Sequence, residues 1–162
     1  MMKTNPKSFN PIFDEHSRIL ILGTMPSVKS REVGFYYSHP RNRFWRVLAE
    51  SFGDTFLKPP QSIEDKTQFL LENKIALWDV LASCEITGSD DSSIRNPIYN
   101  NIADFVRGTQ ISKVLCNGTK AYKLCVSLNL DLSVLHMPST SPANAAWNFE
   151  RLLEVWKSEL VV

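Results

Sequence analysis

The sequence has few cysteines, and this shortage excludes several kinds of site. Its 162 residues include three cysteines, at positions 84, 116 and 125. Three cysteines cannot form a complete disulfide framework, and these lack the C-x-x-C spacing that is typical of structural zinc sites. They are also one short of the four thiolates of an all-cysteine iron–sulfur cluster. We therefore expect buried, reduced thiols, no bound metal and no other cofactor.

Long apolar runs are also missing. No run approaches the about 20 apolar residues of a membrane-spanning helix, so we expect no membrane partner. Residues 1–14 are polar, contain Pro6 and Pro11, and lack the apolar segment of a signal peptide. The length suits one domain, which we place over residues 1–162 with 1–14 as a polar N-terminal extension. We expect a soluble, cytoplasmic monomer.

The net charge is small but unevenly distributed. With 18 basic and 17 acidic residues the formal charge is +1, so the bulk basicity of many nucleic-acid-binding proteins is absent. Between Gly23 and Arg46, however, five basic residues and one acid give +4, which leaves −3 for the remainder. Phe35, Tyr36 and Tyr37 interrupt this segment, and basic residues interleaved with aromatics suit phosphate contact and base stacking. The alternative is a solvated basic loop whose tyrosines pack on the core.

Strand and helix signals alternate along the chain. Short apolar runs predict four strands, at 18–23, 74–80, 111–116 and 132–137. Periodic apolar residues predict helices from residue 42 to 52, over 62–73, 97–106 and 119–128, and from Ser141-Pro142 through Trp156. Residues 83–93 are predicted as a polar loop. The alternation predicts an α/β fold of three layers, α/β/α, with a central, mainly parallel four-stranded sheet. Ligands of such sheets bind beyond the carboxyl ends of the strands.

The segment from His136 to Asn144 follows the last predicted strand and is rich in hydroxyl residues and proline. Such a segment can bind phosphate through hydroxyls and backbone N–H groups at a helix N-terminus. An ordinary capped turn is the alternative, and Ser141-Pro142 is sufficient for it. The chain lacks the glycine-rich nucleotide motifs and the G-x-S-x-G nucleophile motif, and its three histidines have no metal-binding spacing.

Three stretches resemble the uracil-DNA glycosylase superfamily: Gly23-Thr-Met-Pro-Ser27, Tyr37-Ser-His-Pro-Arg-Asn-Arg-Phe-Trp45 and Pro138-Ser-Thr-Ser-Pro142. The first two resemble the mismatch-specific uracil glycosylase branch. The fuller pattern, with Leu77-Trp-Asp-Val80 and Gly88-Ser89, is similar to the hypoxanthine-DNA (deoxyinosine) glycosylase branch. The resemblance implies a monofunctional glycosylase of base excision repair. It would hydrolyse the N-glycosidic bond of a flipped-out deaminated base, hypoxanthine before uracil, and leave an abasic site.

The resemblance also implies roles for individual residues. Met25 stands where the mismatch-specific branch has its catalytic asparagine, and the essential asparagine of the hypoxanthine branch corresponds to Asn42. Tyr37 corresponds to the aromatic that stacks on the base. Asn117 would read the base edge, and Gly23 and Met25 complete the predicted base site. The residues predicted to contact DNA are Ser27, Lys29, His39, Arg41, Arg43, Ser139, Thr140, Ser141 and Asn144.

Several alternatives stay open at this point. Asn42 also suits the N-cap of the helix that carries Trp45, and Asn117 suits a left-handed turn residue before Gly118. For the whole chain, the absence of asparagine at Met25 favours a catalytically inactive module that binds DNA lesions. A third possibility is an unrelated doubly wound enzyme of free nucleotides. A glycosylase would act on DNA that carries a deaminated base, at the nucleoid, or in the nucleus of a eukaryotic source.

Overall fold

A computed structural model describes residues 3–53 and 61–161. Their strands are β1 (Lys3–Thr4), β2 (Ile19–Gly23), β3 (Ile75–Asp79), β4 (Leu81–Thr87), β5 (Arg95–Tyr99), β6 (Lys113–Asn117) and β7 (Ser133–Met137). Their helices are α1 (Val28–Val33), α2 (Phe44–Ser51), α3 (Ile63–Glu72), α4 (Ile102–Arg107), α5 (Thr119–Val126) and α6 (Phe149–Glu159), with a 3₁₀ turn over Asp91–Ser93. None of these described helices is both long enough and apolar enough to cross a bilayer.

The central sheet has four strands in the order β3-β2-β6-β7, and every neighbouring pair is parallel. All five residues of β2 are buried, because helices cover both faces of the sheet. Successive side chains of a strand point to opposite faces, so Ile19 and Ile21 enter one apolar cluster while Leu20 and Leu22 enter the other. The predicted three-layer α/β/α fold with a parallel four-stranded sheet is therefore confirmed.

The first face of the sheet packs against α2, α3 and α6. Phe44 of α2, Leu70 of α3 and Trp156 of α6 are fully buried in this cluster. The Trp156 ring meets Phe44 edge to face at a centroid distance of 6.4 Å. Its indole N–H donates to the carbonyl of Pro138 at 3.0 Å. This bond ties the last helix to the segment that leaves β7.

The second face packs against α4 and α5. Leu22 and Val114 from the sheet meet Ile102 of α4 and Ala121 of α5 in this cluster. The three cysteines belong to the same cluster and are buried and unpaired. The expectation of buried thiols is therefore confirmed.

A second, antiparallel sheet has the order β1-β4-β5, and two predictions were wrong where it forms. The predicted loop 83–93 begins inside β4, whose polar residues occupy half-exposed positions of the strand. The predicted helix 97–106 begins only at Ile102, after the N-cap Asn101. Pro97 instead lies in β5, an edge strand whose residues are all exposed, where a missing backbone N–H is tolerated.

Two helix starts also differ from the prediction. The last helix begins at Phe149 with Asn148 as its N-cap, whereas Ser141 had been predicted to cap it. The Ser141 side chain accepts from the N–H of Ala143 at 3.1 Å, so it makes a local turn that no helix continues. The short helix α1 was not predicted, although Ser27 caps it by accepting from the N–H of Ser30.

The N-terminal segment packs along the rest of the chain. From residue 3 onward β1 pairs with β4, and Ile12 forms a bridge with Leu77 at the outer edge of β3. The carbonyl of Phe9 accepts from the indole N–H of Trp78 at 3.0 Å. Within the predicted extension 1–14, residues 1 and 2 lie outside the described range, and the remainder covers one edge of the parallel sheet.

Replacement of Trp156 by phenylalanine tests the anchoring of α6. The variant keeps an aromatic ring but leaves the part-buried Pro138 carbonyl without its donor, which costs about 1 kcal/mol of the free energy of unfolding. Urea denaturation measures that loss. Trp147→Phe is the control, because the Trp147 ring is half-buried against the same apolar cluster but its indole N–H donates no hydrogen bond within residues 3–53 and 61–161. Equal losses in the two variants would contradict the assignment.

Candidate functional site

A cavity of about 140 Å³ lies beyond the carboxyl ends of β2, β3 and β6. Its lining begins with the last residues of these strands, Gly23, Asp79 and Asn117. Gly23 and Asp79 are register partners at the ends of β2 and β3. The segments that follow these strands, including α1 and β4, supply the other lining residues, which are Thr24, Met25, Pro26, Ser27, Ser30, Tyr36, Tyr37, Asn42, Ile86, Ser89, Asp91, Ser139, Thr140 and Ser141. The structure thus brings together all five residues of the predicted catalytic and base-binding set.

The Thr140 hydroxyl joins the two candidate asparagines. It donates to Oδ1 of Asn42 at 2.8 Å and accepts from Nδ2 of Asn117 at 3.0 Å. The backbone N–H of Thr140 donates to Oδ1 of Asn117, also at 3.0 Å. Thr140 is fully buried, so its side chain does not reach the surface contact with DNA that was predicted for it. It positions the two amides.

Asn42 has an oriented side chain. Besides the Thr140 hydroxyl, its Oδ1 accepts from the backbone N–H of Phe44 at 3.0 Å. That bond is local and cap-like, although the N-cap residue of α2 is Arg43. Among residues 3–53 and 61–161, none accepts a hydrogen bond from Nδ2 of Asn42. The side chain therefore offers the cavity a donor.

Arg43 holds the loop that carries Thr140. Its guanidinium donates to the carbonyls of Thr140 at 3.3 Å, Ser141 at 2.7 Å and Asn144 at 3.2 Å, and also to that of Trp147. These bonds attach the segment after β7 to the start of α2. The guanidinium is thereby engaged with backbone carbonyls, which differs from the DNA contact predicted for Arg43.

The adjacent tyrosines point to different places. Tyr36 is buried in the core, and its hydroxyl donates to the carbonyl of Asn10 at 2.8 Å. Tyr37 lines the cavity, has a left-handed φ of 50°, and stacks on Phe44 with a centroid distance of 4.0 Å. Burial, followed by the nearby Asp79, raises the pKa of Tyr37 above its usual value, so the phenol stays protonated. The alternative in which the tyrosines only pack on the core therefore holds for Tyr36. It does not fully hold for Tyr37, which packs on Phe44 and also lines the cavity.

Asp79 was not predicted as a site residue, yet it lies in the cavity. Only 3% of it is exposed, and Oδ2 has no hydrogen-bond partner among the described residues. Burial, and secondarily the charge of Asp91, raises the pKa of Asp79 to about 7. Its position as the last residue of a buried parallel strand was the signal that could have identified it.

The turn between β4 and β5 closes one side of the cavity. Ser89 Oγ accepts from the N–H of Val28 at 3.0 Å, and Arg31 donates to the carbonyl of Gly88 at 2.9 Å. These bonds attach the turn to α1 and bring Asp91 to the cavity wall. Gly88-Ser89 belonged to the resemblance to the hypoxanthine branch, but no site residue was predicted in this wall, because β4 and β5 were not recognised as a hairpin.

Of the other predicted DNA contacts, Ser27 lines the cavity and caps α1, and the remainder lie in two shallow surface grooves. Lys29, His39 and Arg41 share one groove with Glu32, which pairs with Lys29 at 3.7 Å. The second groove contains Ser139, Ser141 and Asn144, the first two of which also line the cavity.

The turn after β6 decides whether Asn117 is a left-handed turn residue, which the sequence left open. Its left-handed residue is Gly118, with φ of 101°, whereas Asn117 ends the strand and points its amide at Thr140. His136 turns away toward α5, where it contacts Thr119 and stacks on Tyr122. Across the described ranges, no group of three or more His, Cys, Asp or Glu side chains is arranged to hold a metal ion.

Comparisons with known proteins agree on one family. The family model described as the Uracil DNA glycosylase superfamily matches residues 11–158. A Methanosarcina acetivorans protein named hypoxanthine DNA glycosylase is 32% identical over 156 residues, which cover 94% of this chain and 96% of the relative. A Methanosarcina barkeri protein of the same name is 35% identical over 118 residues, which cover 71% and 72%. The solution NMR structure of a Methanosarcina acetivorans protein whose proposed identity is uracil DNA glycosylase superimposes with a TM-score of 0.80, at 30% identity and 97% coverage of both chains.

Replacement of Gly23 by alanine tests the close approach at the cavity floor. The added methyl group would lie 2.7 Å from Oδ1 of Asp79 and 2.8 Å from the Tyr37 hydroxyl. We expect this overpacking to lower the free energy of unfolding by about 1–3 kcal/mol in urea denaturation. Gly108→Ala is the matched control, since its methyl group would meet nothing closer than 3.8 Å. If both variants were equally stable, the crowding at Gly23 would be disproved.

Proposed function

The chain belongs to the uracil DNA glycosylase superfamily, and from that membership we propose that it is a DNA glycosylase that releases hypoxanthine from DNA. The observation that carries the proposal is the oriented Asn42 amide at a cavity of about 140 Å³ beyond the strand ends. The relatives named hypoxanthine DNA glycosylase support hypoxanthine as the first substrate. Uracil is the second, and the product is an abasic site.

The cavity volume suits a planar ring. It measures about 140 Å³, and an engineered cavity of about 150 Å³ in another protein holds benzene. A base inside a duplex cannot enter such a cavity, so the enzyme must extrude it at a cost of a few kcal/mol. A deaminated base in a mispair costs less to extrude, which contributes to selectivity.

Tyr37 is the proposed stacking platform. Phe44 covers one face of its ring, so a flipped base can stack on the opposite face. Stacking of a base on an aromatic ring contributes about 1–3 kcal/mol and does not depend strongly on which base is bound. Phe44 is fully buried and prevents the Tyr37 ring from retreating when a base enters.

Asn42 is the proposed catalytic residue, and its hydrogen bonds specify its role. Because Oδ1 already accepts from Phe44 and Thr140, the group left for substrate is the Nδ2 donor. Cleavage of an N-glycosidic bond develops positive charge on the sugar and negative charge on the departing base. A fixed donor stabilises that negative charge without having to reorganise during the reaction. Asn42 therefore acts as a hydrogen-bond donor rather than as a base.

The residues around the mouth of the cavity would bind the DNA backbone. Lys29 and Arg41 lie in one groove beside the cavity, and Ser139 and Ser141 connect the cavity to the other groove. Lysine and arginine bind phosphates by charge, and hydroxyl groups add neutral hydrogen bonds. We propose that the protein acts as a monomer on DNA at the nucleoid.

A catalytically inactive lesion-binding module is the second candidate. Met25, which lines the cavity, favours it, because a thioether can neither orient nor activate water. This candidate shares the base site and the DNA contacts with the first, so only a chemical assay separates the two.

Asn42→Ala is the decisive variant for the proposed chemistry. Duplexes that each carry one deoxyinosine, deoxyuridine or deoxyxanthosine are incubated with protein, and abasic sites are then cleaved with alkali. We expect cleavage at deoxyinosine, and we expect Asn42→Ala to slow it by about 100-fold or more, as for other lost transition-state donors. Asn101→Ala is the control, since it removes an amide that caps α4 outside the cavity lining.

The outcomes of this assay distinguish the candidates. Lesion-selective binding without strand breaks would support the inactive module. Neither binding nor breaks would refute both candidates, and near-wild-type cleavage by Asn42→Ala would refute its catalytic role.

Thr140→Val tests the hydroxyl that joins the asparagines. Valine has nearly the same shape, but it leaves Oδ1 of Asn42 with one donor fewer and Nδ2 of Asn117 without its acceptor. We expect a roughly 10-fold lower rate of base release at saturating enzyme, equivalent to a hydrogen bond of about 1.4 kcal/mol. Thr140→Ser keeps the hydroxyl and loses only the methyl group, so it should release the base at close to the wild-type rate. A rate that followed side-chain volume instead, with Val active and Ser impaired, would indicate a packing role only.

A further inference from the structure

Arg43 is a positive charge that has no acidic partner in the described part of the chain. None of the ion pairs among residues 3–53 and 61–161 includes it. Its guanidinium donates instead to four backbone carbonyls, those of Thr140, Ser141, Asn144 and Trp147. An arginine side chain has five N–H donors, so these bonds leave one free. A bidentate phosphate contact needs two, which excludes that contact for Arg43 as long as the four bonds persist.

All four acceptors lie in the Pro138–Asn148 loop, which joins β7 to α6. The first residue of this loop is held by Trp156, and its last residue caps α6. For residues 141–147, the hydrogen bonds that come from outside the loop, within the described part of the chain, are those of Arg43 and one from Arg151 at 3.4 Å. The middle of the loop therefore takes its position mainly from one guanidinium.

These bonds connect two parts of the proposed site. Ser141 and Asn144, two of the acceptors, also line the groove that we propose for the DNA backbone. On the other side, Asn42 directly precedes Arg43 and is oriented by the Thr140 hydroxyl. The main-chain N–H of Arg43 adds a bond to the Thr140 carbonyl at 3.1 Å. The guanidinium thus fixes the distance between the surface that would bind phosphate and the Asn42 amide.

We propose that Arg43 is a positioning residue for base release, which holds the Pro138–Asn148 loop so that DNA bound to the loop delivers the flipped base to Nδ2 of Asn42. This role rests on the proposed function and replaces the direct DNA contact expected from the sequence. A displacement of about 1 Å in a catalytic arrangement can slow a reaction by about 100-fold. Lysine cannot take over the role, because its single ammonium group cannot reach several carbonyls that lie apart.

Arg43→Lys separates the rate from the affinity. Base release from a deoxyinosine duplex is measured at saturating enzyme, and the dissociation constant is measured with the same duplex. The main-chain bond to Thr140 remains in this variant, so we expect a rate about 10-fold lower, a smaller loss than for Asn42→Ala. The affinity should stay within about three-fold, because lysine keeps the charge. Arg107→Lys is the control, since Arg107 pairs with Asp104 on the exposed surface of α4, and it should match the wild type in both measurements.

Arg43→Gln tests whether the charge itself contacts DNA. Loss of one phosphate contact makes the dependence of log affinity on log salt concentration shallower by about 0.9. For a positioning residue we expect the slope to equal that of the wild type while the rate falls by about 10-fold or more. A shallower slope would show that Arg43 binds phosphate and would overturn the proposal. So would an Arg43→Lys variant that releases the base at the wild-type rate.

A third measurement does not depend on catalysis and uses ¹⁵N NMR of the intact protein. In the wild type, the Nε–H of Arg43 donates to the Thr140 carbonyl, so its proton should exchange with water at least about 10-fold more slowly than that of the exposed Arg107. In Arg43→Lys, the side-chain amide signals of Asn42 should shift or broaden, while those of Asn101 stay in place.

Equally fast exchange at the two arginines would overturn the proposal, and this result needs no folded variant. Unchanged Asn42 signals in Arg43→Lys would overturn it as well. If the signals behave as expected but the wild type cleaves no duplex, the proposed function alone fails.

Discussion

The attachment of the Pro138–Asn148 loop by the Arg43 guanidinium is the interaction on which the candidate site depends. Arg43 follows Asn42 in the chain, and its side chain bonds to carbonyls about 100 residues away, at 98 positions from Ser141 and 101 from Asn144. The loop carries Thr140, whose hydroxyl orients Asn42. Arg43 thus attaches the loop, and the loop in turn orients Asn42, the residue that precedes Arg43 in the chain. Guanidinium suits this task, because its rigid array of N–H groups can reach several carbonyl oxygens at once.

The parallel sheet supplies the other half of the arrangement. Three adjacent strands end with Asp79, Gly23 and Asn117, so an acid, an open floor and an amide follow one another across the sheet edge. Segments outside these three strand ends add the aromatic side chain of Tyr37 and the β4–β5 turn with Asp91. The site therefore combines a rigid floor, formed by the strand ends, with walls that are held by side-chain-to-backbone hydrogen bonds. Such preorganised polar groups act on developing charge without the cost of reorientation.

The central sheet was predictable because strands buried on both faces are continuous apolar runs, as in β2. The antiparallel sheet was not, because β5 is wholly exposed and the buried residues of β4 do not alternate regularly, since its pairing with β5 is interrupted by register shifts. Ser141-Pro142 has the local chemistry of a helix start, and only tertiary contacts show that no helix follows. The same distinction holds in the site. Asn42 and Tyr37 belong to a recognisable motif, whereas the tasks of Thr140 and Arg43 depend on partners distant in sequence.

The packing of the N-terminal segment has a consequence for association between chains. Outer strands of a sheet present unpaired backbone groups that can pair with a strand of another molecule. Here the bridge between Ile12 and Leu77 occupies part of that edge of β3, and both backbone bonds of the bridge are 2.9 Å long. The same segment pairs with β4 through β1, so it joins the two sheets. Residues 3–12 thus shield a sheet edge that could otherwise pair with another chain, and they protect the protein against edge-to-edge aggregation.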